Sequence, residues 1–410
     1  MPASGQRVAL RILLHDYSGH AFPAQLSRQL ARRSFEVLHL SSASVLTPQG
    51  AIAKTSADAP SLEFGSIQLG QVIQKRDFVR RYFQEKAYGR LLAQQILNFR
   101  PDLVLSGNAP LDVQAAALKA ARSTGAAFVF WLQDVQGIAI ERLLSQRLGL
   151  PGRLVGKYYK AMEQRLLRSS DAVVGISEDF ANVIRGWKVS PKSIWTIPNW
   201  ASTEEIPERP RVNAWAEAHG VARRFCFLYS GTLGMKHNPE ILLQLANQYR
   251  ADDGVRVIVI SEGTQADWLA RKGAEQGLKG LSVLPFQAYA ELPDALASAD
   301  VLLAILEPDA GTFSVPSKVL SYLCAARPLL LSVPQENLAA RTVAASGAGT
   351  VVSPGDVAAF LREAERLRAD PALRTQMGAK AREYATKNFD LDRITDQFEE
   401  VFRFALQAGK

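Results

Sequence analysis

Four short segments of this 410-residue chain combine residue types suited to holding an anion or activating a hydroxyl. The first is His15-Asp16-Tyr17-Ser18-Gly19-His20, which follows an apolar run and leads into a helical stretch from about Pro23. The second, Ser230-Gly231-Thr232-Leu233-Gly234-Met235-Lys236, has the same setting before a helical stretch from about Pro239. Glycines let the backbone approach a ligand closely, and the following helix offers unpaired N–H groups and positive partial charge. Lys236 is placed to add a full charge to a phosphate. Neither segment fits GxxxxGK[ST] or GxGxxG, so each reads equally as a plain strand-to-helix turn. The third runs Gly311-Thr312-Phe313-Ser314-Val315-Pro316-Ser317-Lys318-Val319-Leu320-Ser321-Tyr322. Pro316 suits a first helical position, with Ser314 or Val315 as the cap before it. Lys318 then falls in the first turn, where the macrodipole disfavours a cation by about 0.3–1 kcal/mol unless an anion is bound there. The alternative is a lysine snorkelling at the surface. The fourth, Trp131-Leu132-Gln133-Asp134, puts a carboxylate at the C-terminal end of an apolar strand, where ligands bind in open α/β sheets. Asp134 suits orienting an acceptor hydroxyl or acting as a base, and equally capping the Ile138–Arg147 helical segment.

Other chemistries lose support. GxSxG, CxxC and HExxH are absent. Asp390-Leu391-Asp392 has the DxD form of a metal motif but precedes the last helix, where it reads as a cap. His39 and His219 read as structural, and His237 as a solvent-exposed neighbour of Lys236.

The elements that must position these residues alternate between short apolar β-branched runs and amphipathic helical stretches, the pattern of βαβ units and parallel sheets. Strands are predicted over Val8–Leu14, Phe35–Leu40, Asp102–Leu105, Ala127–Trp131, Ala172–Ile176 and Ser193–Ile197. A second set covers Phe225–Tyr229, Val255–Ile260, Leu281–Leu284, Val301–Ile305, Pro328–Ser332 and Gly349–Val352. Helices such as Pro23–Arg33, Pro110–Ser123, Asn238–Tyr249 and Pro293–Ala299 lie between. The expected organisation is an α/β chain of two Rossmann-like domains, residues 1–200 and 225–388. Residues 201–224, rich in Pro and charge, read as the linker, and 389–410 as a helix crossing back to the first domain.

Apolar residues make up 47% and charged residues 21%, which excludes a disordered tail, a collagen-like fibre and a disulfide-stapled miniprotein. No apolar run is long enough for a membrane span, and the opening residues, interrupted by Arg11, read as a strand rather than a signal peptide. Cys226 and Cys324 stand far apart without histidines at metal spacing, so no metal or disulfide is expected, and a cytosolic location is. The net charge of +8 points to anionic partners. No nucleic-acid module is present, and phosphorylated small molecules or an anionic membrane fit equally. Residues 71–90 stand out: Lys75, Arg76, Arg80, Arg81, Lys86 and Arg90 interleave with Phe78, Tyr82, Phe83 and Tyr88. Such a helix suits docking at an anionic membrane, or a solvated helix whose aromatics pack on the first domain.

In order along the chain, these segments resemble the GT-B glycosyltransferases of the large retaining family four, over nearly all residues. Ser34-Phe35-Glu36-Val37 is similar to that family's GHEV stretch, and Ala172-Val173-Val174-Gly175-Ile176-Ser177-Glu178 to its vvavSe strand. Ile197-Pro198-Asn199-Trp200 resembles the IPNG interdomain element, and Tyr229-Ser230-Gly231-Thr232-Leu233-Gly234 the opening of the donor domain. Leu284-Pro285-Phe286-Gln287 is similar to the base-binding loop, Ser298-Ala299-Asp300-Val301 to the ASADV strand, and Asn388-Phe389-Asp390 to the start of the crossing helix. The 131–134 and 313–323 segments look most like transferases of bacterial exopolysaccharide, colanic acid and O-antigen assembly.

The resemblance implies two domains facing across a cleft and a nucleotide-diphosphate sugar, UDP favoured, bound by the second. Lys236 and Lys318 would neutralise the leaving diphosphate, with Asp134 as the third catalytic residue. Gly231, Thr232, Gly263, Phe286, Gln287, Gly311, Thr312, Phe313, Ser314, Ser317 and Ser321 would line the donor site. Asp16, Gly19 and His20 would line the side of a glycan acceptor, such as a polyprenyl-diphosphate-linked sugar at the inner leaflet. Configuration would be retained, with no cofactor or metal. The chain departs from the family at its paired glutamates: Ser321 stands where the second is usual, Glu307 and Asp309 are both out of place for the first, and Thr232 replaces the arginine of the donor loop. The alternatives are a UDP-sugar 2-epimerase of related fold and a catalytically silent nucleotide-sugar-binding scaffold.

Overall fold

A computed structural model of the chain describes residues 9–45, 47, 49–73, 77–234, 237–308 and 315–408. They form two compact units, one comprising the chain up to Pro198 together with the segment from Leu391 onwards, the other Asn199–Asp390.

The first unit contains β1 (Arg11–Asp16), β2 (Glu36–Ser42), β3 (Leu62–Ile67), β4 (Leu103–Gly107), β5 (Ala127–Leu132), β6 (Ala172–Gly175) and β7 (Ile194–Thr196). They form one sheet in the order β3-β2-β1-β4-β5-β6-β7. Every pairing is parallel, with Ile12 opposite Val37 on one side and Leu103 on the other. Helices α1 (Ala21–Arg32), α2 (Phe78–Phe99), α3 (Leu111–Thr124), α4 (Gln136–Ser169) and α5 (Glu178–Gly186) supply the crossovers. Because helices cover both faces, the middles of the central strands are apolar: Ile12, Leu13, Leu14, Phe128 and Val129 are all fully buried. The sequence reading lacked β3. Its Leu-Glu-Phe-Gly-Ser-Ile run mixes polar residues into an edge strand with only its two ends buried, so the apolar signal is weak there.

α4 departs further from expectation. The helical pattern seen over 138–147 continues after a break at Gly149, whose φ of +60° suits glycine, and runs on to Ser169. The two limbs fold against each other as an antiparallel hairpin. A Cβ on Gly156 would stand 2.4 Å from Glu141 Cα, and one on Gly152 only 2.0 Å from the Leu144 carbonyl oxygen. Small residues let the limbs touch backbone to backbone, and Lys160 closes the pair on Glu141 at 2.9 Å.

The second unit holds β8 (Phe225–Ser230), β9 (Val255–Ile260), β10 (Leu281–Leu284), β11 (Val301–Ile305), β12 (Leu329–Ser332) and β13 (Gly349–Val352), ordered β10-β9-β8-β11-β12-β13 and again all parallel. Its helices are α6 (Ala214–Ala218), α7 (Glu240–Gln248), α8 (Thr264–Glu275), α9 (Leu292–Ala297), α10 (Lys318–Cys324), α11 (Leu338–Ser346), α12 (Val357–Ala369) and α13 (Pro371–Asn388). Residues 201–224, expected to be a linker, fold as part of this unit. Ile206 and Trp215 are buried, Arg211 pairs with Asp300 at 2.7 Å, and Arg382 donates to the Ile206 and Thr203 carbonyls. The proline and charge content hid these anchors.

The last helix, α14 (Leu391–Ala408), belongs to the first unit. Its Ile394, Phe398, Val401, Phe402 and Ala405 recur at helical spacing and are all buried. Phe398 meets Trp131 edge-on at 5.0 Å. Arg33, just past α1, binds Asp392 and Glu399 at 2.9 Å and also Asp396. Asp392 thus sits in the first turn of the crossing helix as an ion-pair partner of Arg33, and Asp390 is the residue of the triplet that stands just before that helix.

Candidate functional site

In an open α/β sheet the natural binding position lies beyond the strand ends where the strand order reverses. In the second unit that point falls between β8 and β11. The residues at the end of β8 are Ser230 and Gly231, and α10 brings Lys318 onto them. Gly231 has a φ of +132°, and a Cβ built there would lie 2.9 Å from Lys318 Cε and 3.3 Å from Nζ. Only glycine admits both that backbone conformation and that approach.

The lysine is held from beneath. Its ammonium lies 3.6 Å from the centroid of the Tyr229 ring and donates to the Tyr229 hydroxyl, which in turn donates to the Thr232 carbonyl at 2.9 Å. One turn along α10, the Tyr322 hydroxyl accepts from Ser230 N–H at 2.8 Å and donates to the Ser230 carbonyl at 3.1 Å, pinning the helix to the strand. Among the described residues no carboxylate pairs with Lys318. Burial pushes its pKa well below the usual lysine value. A partly buried cation held by a phenol and a ring face, with no counter-ion, is an arrangement that an incoming anion would stabilise. Helix α10 begins at Lys318 and not at Pro316, and Ser317 precedes it with an exposed side chain that makes no cap.

The other donor-side candidates fall into three groups. Lys236, Gly311, Thr312, Phe313 and Ser314, with Asp309, lie outside the described residues. Gly263 follows β9, has a φ of +97°, and caps α8 with no atom within 4 Å of an added Cβ. Beyond β10, Phe286 donates its N–H to Glu262 at 2.9 Å, while the Gln287 amide is tied to Trp215 Nε1 at 3.0 Å and to the Pro285 carbonyl. The Gln287 side chain is thus committed to Trp215. Ser321 lies on α10, one residue before Tyr322.

In the first unit the strand order reverses between β1 and β4, and the 15–20 segment sits at that place. Asp16, expected to face an acceptor, is 1% exposed and turned into its own loop. It accepts from Ser18 N–H (3.4 Å), His20 N–H (2.5 Å) and the Asn108 amide (2.9 Å). Burial alone would raise its pKa, but His20, His39 and Asn108 hold it below the usual aspartate value. Its role is to shape the loop. Gly19 is buried with a φ of +71°, packed on Gln49 and Ile52. His20, partly exposed, is the residue of this set that faces outward at the start of α1. Asn108, at the end of β4 with a φ of +54°, was missed; it follows the adjacent strand, and that position was the available signal.

Asp134 follows β5, as expected of a residue at a strand end. Val135 stands at the start of α4, and the buried Glu163 from the second limb accepts from Gln136 and Gly137 N–H at 3.0 and 2.8 Å. Burial raises Glu163 to a pKa of about 7 against those two N–H groups, and the Asp134 charge adds to the rise. Glu163 was not legible, since its partner lies across a hairpin that the sequence did not show.

Helix α2 begins at Phe78 behind the Asp77 cap, so the expected basic segment is a helix over most of its length, with 74–76 outside the described residues. Tyr88 is fully buried against His15, whereas Val79, Tyr82 and Phe83 are exposed. Arg81 pairs with Glu85 and Lys86 with Asp112. His39 is buried on Ser27 at 2.8 Å, His219 stacks on Trp215, and His237 Nδ1 accepts from Gly234 N–H. Cys226 and Cys324 are free and buried. Among the described residues no helix is long and apolar enough to cross a membrane.

These features define a fold of two units, each built on a parallel α/β sheet. Residues 24–200 match the family described as "Glycosyl transferase 4-like domain" and residues 224–370 that described as "Glycosyl transferases group 1". Together they cover most of the chain, which belongs to the GT-B glycosyltransferases and is a transferase enzyme. Among curated proteins it is similar to WcaI of Escherichia coli, named for a glycosyl transferase of colanic acid biosynthesis, at 23% identity over 77% of each chain. Among solved structures it resembles HepE of Anabaena, determined with UDP and glucose (TM-score 0.70, 15% identity, 95% of this chain and 98% of that one). It also resembles a sucrose-phosphate synthase of Thermosynechococcus elongatus (TM-score 0.73, 16% identity, 96% and 98%).

Proposed function

We propose that this glycosyltransferase takes its sugar from a UDP-sugar and passes it, with retention of configuration, to a lipid-linked glycan acceptor in bacterial cell-surface polysaccharide assembly. The observation that carries the reading is Lys318: a cation without a carboxylate partner among the described residues, set over Gly231 at the strand reversal of the second sheet. In this reading the diphosphate lies against Gly231 and Lys318. As the glycosidic C–O bond breaks, electrons move onto the diphosphate oxygen and the ammonium stabilises them. The acceptor oxygen bonds to the same carbon on the leaving-group face and gives its proton to the departing diphosphate, so neither an enzyme nucleophile nor a metal is needed. Lys236 and the 311–314 backbone would complete the donor side, with Thr232, Gly263, Phe286, Gln287, Ser317 and Ser321 around it. Asp134 and His20 would meet the acceptor. The solved complex of HepE with UDP and glucose supports the choice of UDP, and the likeness to WcaI supports the pathway class. The exposed Val79 and Phe83 beside Arg80 and Arg90 support an anionic membrane as the place where α2 meets a lipid-linked acceptor.

The test is calorimetric titration of the purified protein with UDP, GDP and NAD without added metal, followed by sugar transfer to a lipid-linked acceptor. UDP binding in the micromolar range, lost in Lys318→Ala together with about 100-fold of turnover while the variant still folds, is the expected outcome. Binding of neither diphosphate, or wild-type turnover in Lys318→Ala, would sink the assignment.

A further inference from the structure

The hairpin of α4 carries a surface that nucleotide-sugar chemistry does not use. At and beyond its bend, Leu148, Leu150, Leu154, Val155 and Tyr158 are 60, 76, 69, 46 and 62% exposed. Leu150, Leu154 and Tyr158 follow at i, i+4 and i+8, so they form one ridge along the second limb. The inner face is already satisfied by Gly152 and Gly156 against the first limb, so the ridge has no packing partner within the unit. Apolar side chains clustered in this way on a soluble surface usually mark something that covers them.

The surrounding charge says what that is. From Arg142 to Met162 the sequence contains no acid, while Arg142, Arg147, Arg153, Lys157 and Lys160 are all basic. Arg153 and Lys157 are exposed and immediately precede Leu154 and Tyr158, so they flank the apolar ridge. A second copy of the chain would bring like charge against like charge. An anionic bilayer instead meets the lysines and arginines at its headgroups and the leucines at its acyl boundary. The hairpin also packs near α2. Lys86 of α2 at 3.3 Å and the Tyr159 hydroxyl of α4 at 3.1 Å converge on one carboxylate, Asp112 at the start of α3.

We propose that the bend of the α4 hairpin is a membrane anchor, inserting Leu150, Leu154 and Tyr158 into the interface of an anionic bilayer with Arg153 and Lys157 at the headgroups. The choice of partner rests on the membrane reading above, but the residues are different and the site is assigned no part in the chemistry. On α2 Arg81 pairs with Glu85 and Lys86 with Asp112, whereas Arg153 and Lys157 stand exposed beside the ridge.

The experiment is co-sedimentation of the whole protein with vesicles of phosphatidylcholine alone or mixed with phosphatidylglycerol. Two variants accompany it, Leu150→Ser with Leu154→Ser and Arg153→Glu with Lys157→Glu, at positions whose exposure leaves the fold intact. The wild type is expected to sediment with the anionic vesicles only, and each double variant to bind them about tenfold more weakly or less. Because Cys226 and Cys324 are buried, a fluorophore on Leu154→Cys reads insertion directly and is expected to shift to the blue on anionic vesicles. UDP calorimetry without lipid is expected to be the same in all variants, which separates failure of the anchor from failure of the nucleotide site. Wild-type vesicle binding in both double variants would overturn the proposal. So would absence of binding by the wild type, or self-association of the wild type that the leucine variant abolishes.

Discussion

Replacing Gly231 with alanine tests the centre of the site with one methyl group. At a φ of +132° an alanine backbone is strained by about 1–3 kcal/mol. The new Cβ would stand 2.9 Å from Lys318 Cε, and the atom it meets is near the free end of a flexible side chain. The lysine therefore yields before the strand does, and its ammonium leaves the Tyr229 ring and the end of β8. If the diphosphate binds there, it loses a charge-assisted contact of about 1.5–3 kcal/mol. That corresponds to a UDP dissociation constant raised by roughly 10- to 150-fold. The assay is calorimetry on Gly231→Ala beside wild type and Gly277→Ala. Gly277 also has positive φ, but an added Cβ there meets nothing within 4 Å, so it reports backbone strain alone. The expected outcome is a lowered melting temperature in both variants and weakened UDP binding in Gly231→Ala only. Wild-type UDP affinity in Gly231→Ala, at the same loss of stability, would refute the placement of the diphosphate over Lys318.

Two further outcomes follow from burial of charge. Lys318 has a folded pKa below its unfolded value, so the unfolded chain binds the extra proton in that window and stability rises with pH towards 10.5. Lys318→Met is expected to melt higher at neutral pH and to lose that rise; parallel pH profiles would contradict it. His15 and His39 are fully buried, with pKa values pushed down to about 3 and about 4, and Glu163 is pushed up to about 7. Between about pH 5 and 6.5 the unfolded state gains two histidine protons, while the folded state keeps one on Glu163. The net slope averages about 1 kcal/mol of stability lost per pH unit of acidification. Urea melts at pH 6.5 and 5 measure it, and a flat profile would contradict the buried neutral imidazoles.

Much of the architecture was legible because parallel strands buried on both faces write themselves as unbroken apolar runs. All six strands of the second sheet could be placed, β11 and β12 most plainly as unbroken buried runs, and the family motifs marked the two-unit fold. What escaped lacked that signal. β3 is an edge strand diluted by Glu63, Gly65 and Ser66, and the second limb of α4 hides behind Gly149 and Pro151, residues that ordinarily end helices. At the site, motif spacing named Lys318 and Gly231 but not what joins them. Tyr229 reads as a strand core residue and Tyr322 as a helix core residue. Their hydroxyls matter only because β8 and α10 meet at the strand reversal, a contact between residues 92 apart in sequence. Asp16 misled for the opposite reason: a carboxylate in a loop looks available until the loop closes on it.

The crossing helix sets an order for biosynthesis. The first unit needs Phe398 to cover Trp131, and Arg33 to find Asp392 and Glu399, yet those partners emerge after the whole of Asn199–Asp390. At about 5–20 residues per second, the intervening segment takes about 10–40 s to translate. Throughout that interval the nascent first unit presents an uncovered aromatic face, whereas the second, uninterrupted in sequence, can close as soon as it clears the ribosome. The part of the enzyme made first is therefore the part finished last, and its exposed face during synthesis is where a chaperone would hold the chain.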